Sequence, residues 1–113
     1  MSEQELTRAI LDRLALMPGV WCWRNNTGVA KGAYGGRIRF GKVGSGDISG
    51  ILRGGRHFEL EVKLPGGKWK TTEEQEAHGA RVLEMGGLWA VVRSIDEAVV
   101  AIEAALQGTT RAA

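Results

Sequence analysis

The sequence is poor in the residues that bind zinc or form disulfides, since its 113 residues include one cysteine and two histidines. The single cysteine, Cys22, excludes a disulfide or a thiolate metal site within one chain. It lies in an apolar run at residues 20–23, which indicates packing in a strand. His57 and His78 have no second ligand at zinc spacing, so zinc is not expected.

Long apolar runs are also missing, and no window approaches the eighteen residues of a membrane span. The N-terminus opens with acidic and polar residues, so no signal peptide is expected and we predict a cytoplasmic protein without a membrane partner. With 43% hydrophobic and 25% charged residues, the chain fits one globular domain. We assign residues 1–108 to this domain and residues 109–113 to a disordered tail.

Acidic residues are scarce in the middle of the chain. From Arg24 to Lys70 there are ten Lys or Arg and only three acids, Asp47, Glu59 and Glu61, whereas the rest of the chain has five basic and ten acidic residues. The same segment holds twelve of the seventeen glycines, which permit close backbone approach to a ligand. A basic surface around an acidic pocket suits a polyanion that is cut where it touches a metal.

The three acids belong to a predicted β-hairpin. Asp47 opens an apolar strand that ends near Leu52, and the turn at 53–56 leads into a second strand. In that strand Phe58, Leu60, Val62 and Leu64 alternate with His57, Glu59, Glu61 and Lys63. Pairing the strands places Asp47 near Glu61. A charged face on a strand is also typical of a half-buried sheet facing solvent, and the pattern of this strand alone leaves both interpretations open.

The first helix is predicted from about residue 2 to Met17, with Pro18 and Gly19 after it. This prediction depends on apolar residues at helical spacing: Leu6, Ile10, Leu14 and Met17. Helical angles put Glu3 on the same side as Ile10 and put Glu5 toward solvent. Glu3 is therefore the acid of this helix that is expected to reach an interior site.

The C-terminal half contains two capping-box patterns. Thr71 and Thr72 precede a helix to about Met85, and Gln75 in its first turn is either a cap partner or part of a site. The apolar run at 88–92 predicts a central strand covered on both faces. Ser94 and Glu97 begin a last helix that ends at Gly108.

The remaining elements are a strand at 20–24, a glycine-rich loop at 25–36 and a short strand at 37–40. The predicted order is α-β-β-β-β-α-β-α, with its last strand reached through a crossover helix. We therefore expect an α/β fold with a mixed sheet flanked by helices.

These residues resemble a known superfamily. An acid on the first helix, Asp47, the Glu61-x-Lys63 pair and a Gln on the next helix are similar to the PD-(D/E)XK nucleases. Segments 23–28, 44–48 and 61–63, with Gln75 and the pair at 86–87, look more specifically like the VRR-NUC branch in its stand-alone phage and bacterial form. The resemblance covers nearly the whole chain, although that branch often has proline at 44–46 and this chain has none. The resemblance implies a restriction-endonuclease-like core. It also implies a protein of the cytoplasm of a bacterial or phage-infected bacterial cell.

The resemblance also implies roles for individual residues. Lys63 would position or activate the attacking water, and Gln75 would orient groups around Lys63. Glu59 shares the polar face but ranks below Glu61 as a ligand. The implied cofactor is Mg²⁺, with Mn²⁺ as a substitute. The implied ligands are Asp47, Glu61, the Val62 carbonyl and, as an outer or second-metal ligand, Glu3.

Basic residues and a tryptophan predict the DNA-binding surface. Trp69 lies between Lys68 and Lys70 in a glycine-rich stretch, where it either stacks on nucleic acid or packs on the core as a lid. Cations that meet phosphates give affinity without reading sequence, which favours structure-selective cleavage. The predicted DNA-binding residues are Arg24, Asn25, Lys31, Arg37, Arg39, Lys42, Lys68, Trp69 and Lys70.

The predicted function is a metal-dependent endonuclease that hydrolyses DNA phosphodiester bonds, and the resemblance implies branched or Holliday-junction-like DNA. The alternative is a non-catalytic nucleic-acid-binding module that retains the fold. An assembly protein without nucleic acid leaves the segregated charge unexplained. A homodimer would place two cuts in opposite strands. The apolar residues of 28–44 predict its interface, with loop disorder as the competing interpretation.

Overall fold

The computed structural model describes residues 1–25, 28–31, 37–40, 46–66 and 70–111, and for 28–31, 37–40 and 109–111 it describes the backbone alone. The described ranges form an α/β fold with a mixed sheet flanked by helices, as the sequence predicts. The elements are α1 (Glu3–Leu14), β1 (Val20–Arg24), β2 (Gly28–Lys31), β3 (Arg37–Phe40), β4 (Ile48–Leu52), β5 (Arg56–Val62), α2 (Glu73–Glu84), β6 (Leu88–Val92) and α3 (Ile95–Arg111).

Helix α1 begins with a complete capping box. The Ser2 hydroxyl accepts a hydrogen bond from the Glu5 N–H, and the Glu5 carboxylate accepts one from the Ser2 N–H. The helix ends at Leu14 rather than at Met17, and the turns that follow it reach Gly19, whose φ of +79° favours glycine. The buried residues of this helix are Leu6, Thr7, Ile10 and Leu14.

Four strands form the main sheet in the order β1-β4-β5-β6. β4 pairs antiparallel with β1 and with β5, whereas β5 and β6 are parallel and are connected through α2, as a parallel pair requires. The predicted β4–β5 hairpin is confirmed. Gly54 and Gly55 in its turn have φ values of +95° and +91°, a region that other residues rarely adopt.

Two strand predictions are wrong. Residues 28–31 were expected in a loop, but they form β2, which pairs with β3 in a separate two-stranded antiparallel sheet. The many glycines around β2 mask the short strand pattern. The run at 88–92 was expected to be central, but β6 lies at the edge of the sheet. It is apolar because α2 and α3 both contact it.

The core lies between the sheet and the helices α1 and α3. Its largest fully buried side chains are Phe58, Ile10, Leu14, Ile48, Leu52, Leu60, Ile102, Val62 and Val92. Helix α3 continues to Arg111, past the predicted end at Gly108. Residues 112–113 of the predicted tail lie outside the described residues. No helix in the described ranges has the length and apolarity needed to cross a bilayer.

Candidate active site

The polar face of β5 is covered by protein. Glu59 and Glu61 alternate with core residues, yet their exposed fractions are only 5% and 3%. The solvent-facing interpretation of this strand is therefore wrong for its two acids. Carboxylates at this depth require partners, because burial without hydrogen bonds or a compensating charge costs several kcal/mol.

Helix α2 reaches the sheet closely because Gly79 lies at the contact. A Cβ on Gly79 would lie 2.4 Å from the Trp89 ring of β6, so any side chain there would force the two elements to shift. Residues that are three or four positions apart on a helix share one face. Gln75 and His78 therefore both point to the sheet, where each contacts one of the two carboxylates of β5.

When ionised, the Glu61 carboxylate is held on one oxygen only, whereas its protonated form can also share a hydrogen bond with the Asp47 side chain. Its Oε1 accepts a hydrogen bond from Gln75 Nε2 at 2.8 Å and lies 3.4 Å from Lys63 Nζ. Its Oε2 is buried and has no hydrogen-bond partner among the described residues. Gln75 also completes the α2 capping box, since its Oε1 accepts from the Thr72 N–H. The interpretation of Gln75 as a cap partner is confirmed, and its contact with Glu61 leaves its role in a site as a prediction.

Asp47 lies beside Glu61, as the hairpin register predicts. Its Oδ2 accepts a hydrogen bond from the Val62 N–H at 2.7 Å. The β4–β5 register pairs Ile48 with Leu60, and one further step places Asp47 opposite Glu61. Both sides of the Asp47 backbone are also fixed by Asn25, whose N–H donates to the Asp47 carbonyl and whose Nδ2 donates to the Gly46 carbonyl.

The proximity of the two carboxylates changes the chemistry of the pair. Burial first and the Asp47 charge second raise the pKa of Glu61 to about 7, against the lowering effect of Lys63. Ionised carboxylates only accept hydrogen bonds, so two of them at close range need a shared proton or a cation. Near neutral pH, a cation that binds between Asp47 and Glu61 would therefore displace the proton that the pair shares.

Sequence reasoning missed a second cluster on the same face. Glu59 Oε1 accepts from the Gly46 N–H at 2.9 Å and lies 2.8 Å from His78 Nε2, while Glu59 Oε2 lies 2.8 Å from His57 Nε2. Burial acts to raise the pKa of Glu59, but these hydrogen bonds outweigh it and the pKa is lowered. Two signals were available: His57 shares the strand face of Glu59, and His78 follows Gln75 by three residues.

The predicted position of Glu3 on the buried side of α1 is wrong, whereas its role as an outer or second-metal ligand stays a prediction. Its side chain is exposed, as are all of residues 1–5, and no hydrogen bond or ion pair joins it to the described site residues. The helical angle of Glu3 is close to that of Ile10, but the first turn of α1 projects beyond the core. A position on the correct side of a helix is buried only where a neighbouring element covers it.

The predicted DNA-binding residues are described to different extents. Arg24 and Lys70 are exposed, whereas Asn25 is partly buried in the contact with Gly46 described above. Only the backbone is described at three of the others, which lie on β2 and β3: Lys31, Arg37 and Arg39. The rest lie outside the described residues: Lys42, Lys68 and Trp69.

The donor set decides which metal the site fits. Among the described residues, no group of three or more His, Cys, Asp or Glu side chains is arranged to hold a metal ion. Mg²⁺ does not need such a group, because it takes one or two carboxylates together with waters and substrate phosphates. Asp47 and the unpartnered Oε2 of Glu61 supply two carboxylates of this kind, so the pair fits a hard divalent cation.

Comparisons with models of protein families, with curated proteins and with solved structures give no match to this chain. Functional inference therefore depends on the geometry of the Asp47–Glu61 pair and of the residues around it.

Proposed function

We propose that this chain is a metal-dependent endonuclease that hydrolyses DNA phosphodiester bonds. The observation that carries the proposal is the unpartnered, buried Oε2 of Glu61 beside Asp47, with Lys63 at the same carboxylate. A structural carboxylate at this depth would have its oxygens satisfied, as those of Glu59 are. The restriction-endonuclease-like core and the membership of the VRR-NUC branch are part of this proposal.

Asp47 and Glu61 would hold the divalent cation, with the Val62 carbonyl as a further ligand. Bound there, Mg²⁺ would polarise the scissile phosphate and lower the pKa of a coordinated water. The protein prepares both carboxylates: the Val62 N–H fixes Asp47, and Gln75 Nε2 fixes the orientation of Glu61. Fixed ligands need no reorganisation when the substrate binds, which favours the transition state.

Lys63 is the residue proposed to act on the nucleophile. Its side chain is 15% exposed and its Nζ lies 3.4 Å from Glu61 Oε1, so it is restrained next to the ligand carboxylate while still reaching solvent. A donor at that place can hold a water near the scissile phosphate and stabilise the charge that develops on its oxygens.

The substrate is proposed to be branched DNA, bound mainly through phosphates. The basic segment from Arg24 to Lys70 supplies cations for the backbone, and contacts of this kind carry no sequence information. A homodimer through residues 28–44 remains a prediction and would place two such sites on opposite strands. The alternative is a DNA-binding module without activity. Glu61 argues against it, since a buried carboxylate facing phosphates weakens binding unless a cation intervenes.

A cleavage assay on a DNA panel tests the proposal. Linear, nicked, flapped and four-way DNA are incubated with the protein in Mg²⁺, Mn²⁺, Ca²⁺ or chelator. We expect cleavage of branched DNA in Mg²⁺ and Mn²⁺ and binding without cleavage in Ca²⁺, whose looser coordination places water poorly. Asp47→Asn and Lys63→Ala should abolish cleavage in the same buffers.

Glu84→Gln is the matched control, because Glu84 is an exposed carboxylate at the end of α2. It should cleave like the wild type. Cleavage that survives in chelator or in Asp47→Asn would reject the metal site. Metal-independent DNA binding without cleavage of any substrate would establish the binding module instead.

A further inference from the structure

Two tryptophans are exposed on the edge strand β1. The exposed fractions of Trp21 and Trp23 are 69% and 40%, and their ring centroids lie 5.4 Å apart in an edge-to-face arrangement. Single exposed apolar side chains are common on protein surfaces. Two adjacent tryptophans at the open edge of a sheet are different, because they form one aromatic surface that favours contact with a partner.

The strand register places these rings on the same face of the sheet as the candidate active site. Trp23 pairs with Ser49, and Ser49 pairs with Glu59. Residues directly opposite in antiparallel strands project to one face. Asp47 and Glu61 lie on this face too, two residues further along their strands, or about 7 Å.

Helix α2 covers only part of this face. It lies over β5 and β6, where Gln75 and His78 reach the carboxylates. Among the described residues it does not cover Trp21 and Trp23 on β1, which are exposed. Between Trp23 and Glu59 on this face lies Ser49, which is 6% exposed, so the two tryptophans lie across β4 from the carboxylates of β5. Adjacent strands are about 4.8 Å apart, so the nucleotides next to a phosphate at Asp47 are within reach of the tryptophans on β1.

We propose that Trp21 and Trp23 bind unpaired bases of the DNA strand whose phosphate lies at Asp47 and Glu61. Bases within a duplex cover one another, so an aromatic ring can stack only on bases that are unpaired or splayed, as in a flap or at a branch point. The inference rests on the proposed function, and it specifies the substrate as DNA with a single-stranded segment at the cleavage site.

Charge and area favour a nucleic acid over a second copy of this chain. Arg24 follows Trp23 at the end of β1 and is exposed, so it offers a cation to the phosphates of the same DNA strand. A stable protein interface needs about 800 Å² from each partner, whereas one tryptophan offers about 200 Å² in total. Two rings are enough for two bases but supply less than half of the surface of a dimer.

A binding experiment without divalent metal separates this surface from catalysis. The probe is a fluorescein-labelled 20-nucleotide oligothymidylate, compared in chelator at fixed salt with the same backbone carrying abasic sites at its central positions. Stacking contributes about 1–3 kcal/mol per base. Two stacked bases should therefore tighten wild-type binding about 30-fold or more over the abasic probe.

The variant Trp21→Thr/Trp23→Thr keeps residues that favour β-strands. It should lose the preference for bases and bind both probes with the abasic affinity, whereas Trp21→Phe/Trp23→Phe should retain part of the preference. Val100→Thr is the matched control, because it removes an equally exposed apolar side chain from α3. Circular dichroism and thermal unfolding verify the fold. If the Thr variant is unfolded, the Phe variant and Trp21→Thr alone decide the outcome.

Other results would overturn the inference. An equal affinity of the wild type for both probes, or a preference that persists in the Thr variant, would reject base stacking on β1. Sedimentation in which the wild type is dimeric and the Thr variant is monomeric, with DNA binding unchanged, would assign the face to a second copy. Failure of cleavage with an intact preference for bases would reject the nuclease and leave the stacking surface in place.

Discussion

Glu59 and Glu61 lie two residues apart on the same face of β5, are buried to nearly the same extent and have opposite pKa shifts. Both oxygens of Glu59 have partners and its pKa is lowered, whereas Glu61 keeps one oxygen without a partner and its pKa is raised to about 7. Burial therefore does not explain the difference between the two carboxylates. The number of hydrogen-bond donors around each carboxylate explains it.

The two clusters nevertheless share one scaffold. Glu59 binds the Gly46 N–H, and Asp47, next along the chain, accepts from the Val62 N–H beside Glu61. Helix α2 contacts both carboxylates, since its His78 contacts Glu59 and its Gln75 contacts Glu61. We infer that the Glu59 cluster positions the loop end that carries Asp47, while the Asp47–Glu61 pair performs the chemistry. The predictions below separate these roles.

The largest expected effect is on cleavage. Glu61→Gln should reduce the cleavage rate about 1000-fold or more, since it removes the proposed metal ligand while retaining the shape of the side chain. Glu59→Gln should stay within about tenfold of the wild type when both are folded. Single-turnover rates at low temperature measure the difference. Equal losses in the two variants would remove the distinction between the carboxylates.

The next effect is on stability. Glu59→Ala leaves the Gly46 N–H without its acceptor and removes the partner of both histidines. We expect the free energy of unfolding to fall by about 3 kcal/mol. Urea unfolding at pH 7 measures this loss, and the exposed Glu84→Gln should be within about 0.5 kcal/mol of the wild type. A loss below about 1 kcal/mol would show that the Glu59 cluster does not hold this part of the fold.

How far the sequence predicts the site depends on which contacts are local. The period of two on β5 and the short turn after β4 predict Asp47 next to Glu61, and the capping box predicts Gln75 in the first turn of α2. The contact of His78 with Glu59 depends instead on how closely α2 approaches β6 at Gly79. No periodicity encodes that distance.

The outer elements were harder to predict for the same reason. Trp21 and Trp23 are exposed because they lie on the face of the edge strand β1 opposite to α1, where no helix of the described residues covers them. A strand pattern does not specify the position of the strand in a sheet. Glu3 has the helical angle of a buried residue, but among the described residues no element covers the start of α1, and Glu3 is exposed. The α/β class and most element bounds follow from local patterns. The order of strands in the sheet, and which residues a neighbouring element covers, depend on long-range packing.

A stability effect of opposite sign is expected at Glu61. Its folded pKa of about 7 exceeds the reference value of 4.5, so between these pH values the folded state retains a proton that the unfolded state releases. The free energy of unfolding contributed by this group therefore falls as the pH rises through this window. Glu61→Gln should be more stable than the wild type by about 2 kcal/mol at pH 8 in chelator.

That advantage should shrink as the pH falls toward 4.5, because the unfolded state then begins to bind the proton that the folded state already holds. Paired urea titrations of the wild type and Glu61→Gln at pH 8 and pH 5 measure the change. A difference of the same size at both pH values would mean that Glu61 does not carry the shifted pKa.

The smallest effect separates the two roles of Gln75. Thr72→Ala and Gln75→Ala each break the α2 capping box and should each cost about 1 kcal/mol of unfolding free energy. Only Gln75→Ala also removes the donor to Glu61. It should lower the cleavage rate about tenfold at saturating DNA, whereas Thr72→Ala should leave the rate unchanged. Equal rates in the two variants would make Gln75 a helix cap alone.

The claim that Glu61 and not Glu59 is the metal ligand is tested most directly by calorimetric titration of Mn²⁺ at pH 8. We predict that the wild type and Glu59→Gln bind the ion, since both keep the Asp47–Glu61 pair, and that Glu61→Gln does not. Undiminished binding in Glu61→Gln, or binding that is lost only in Glu59→Gln, would contradict the account.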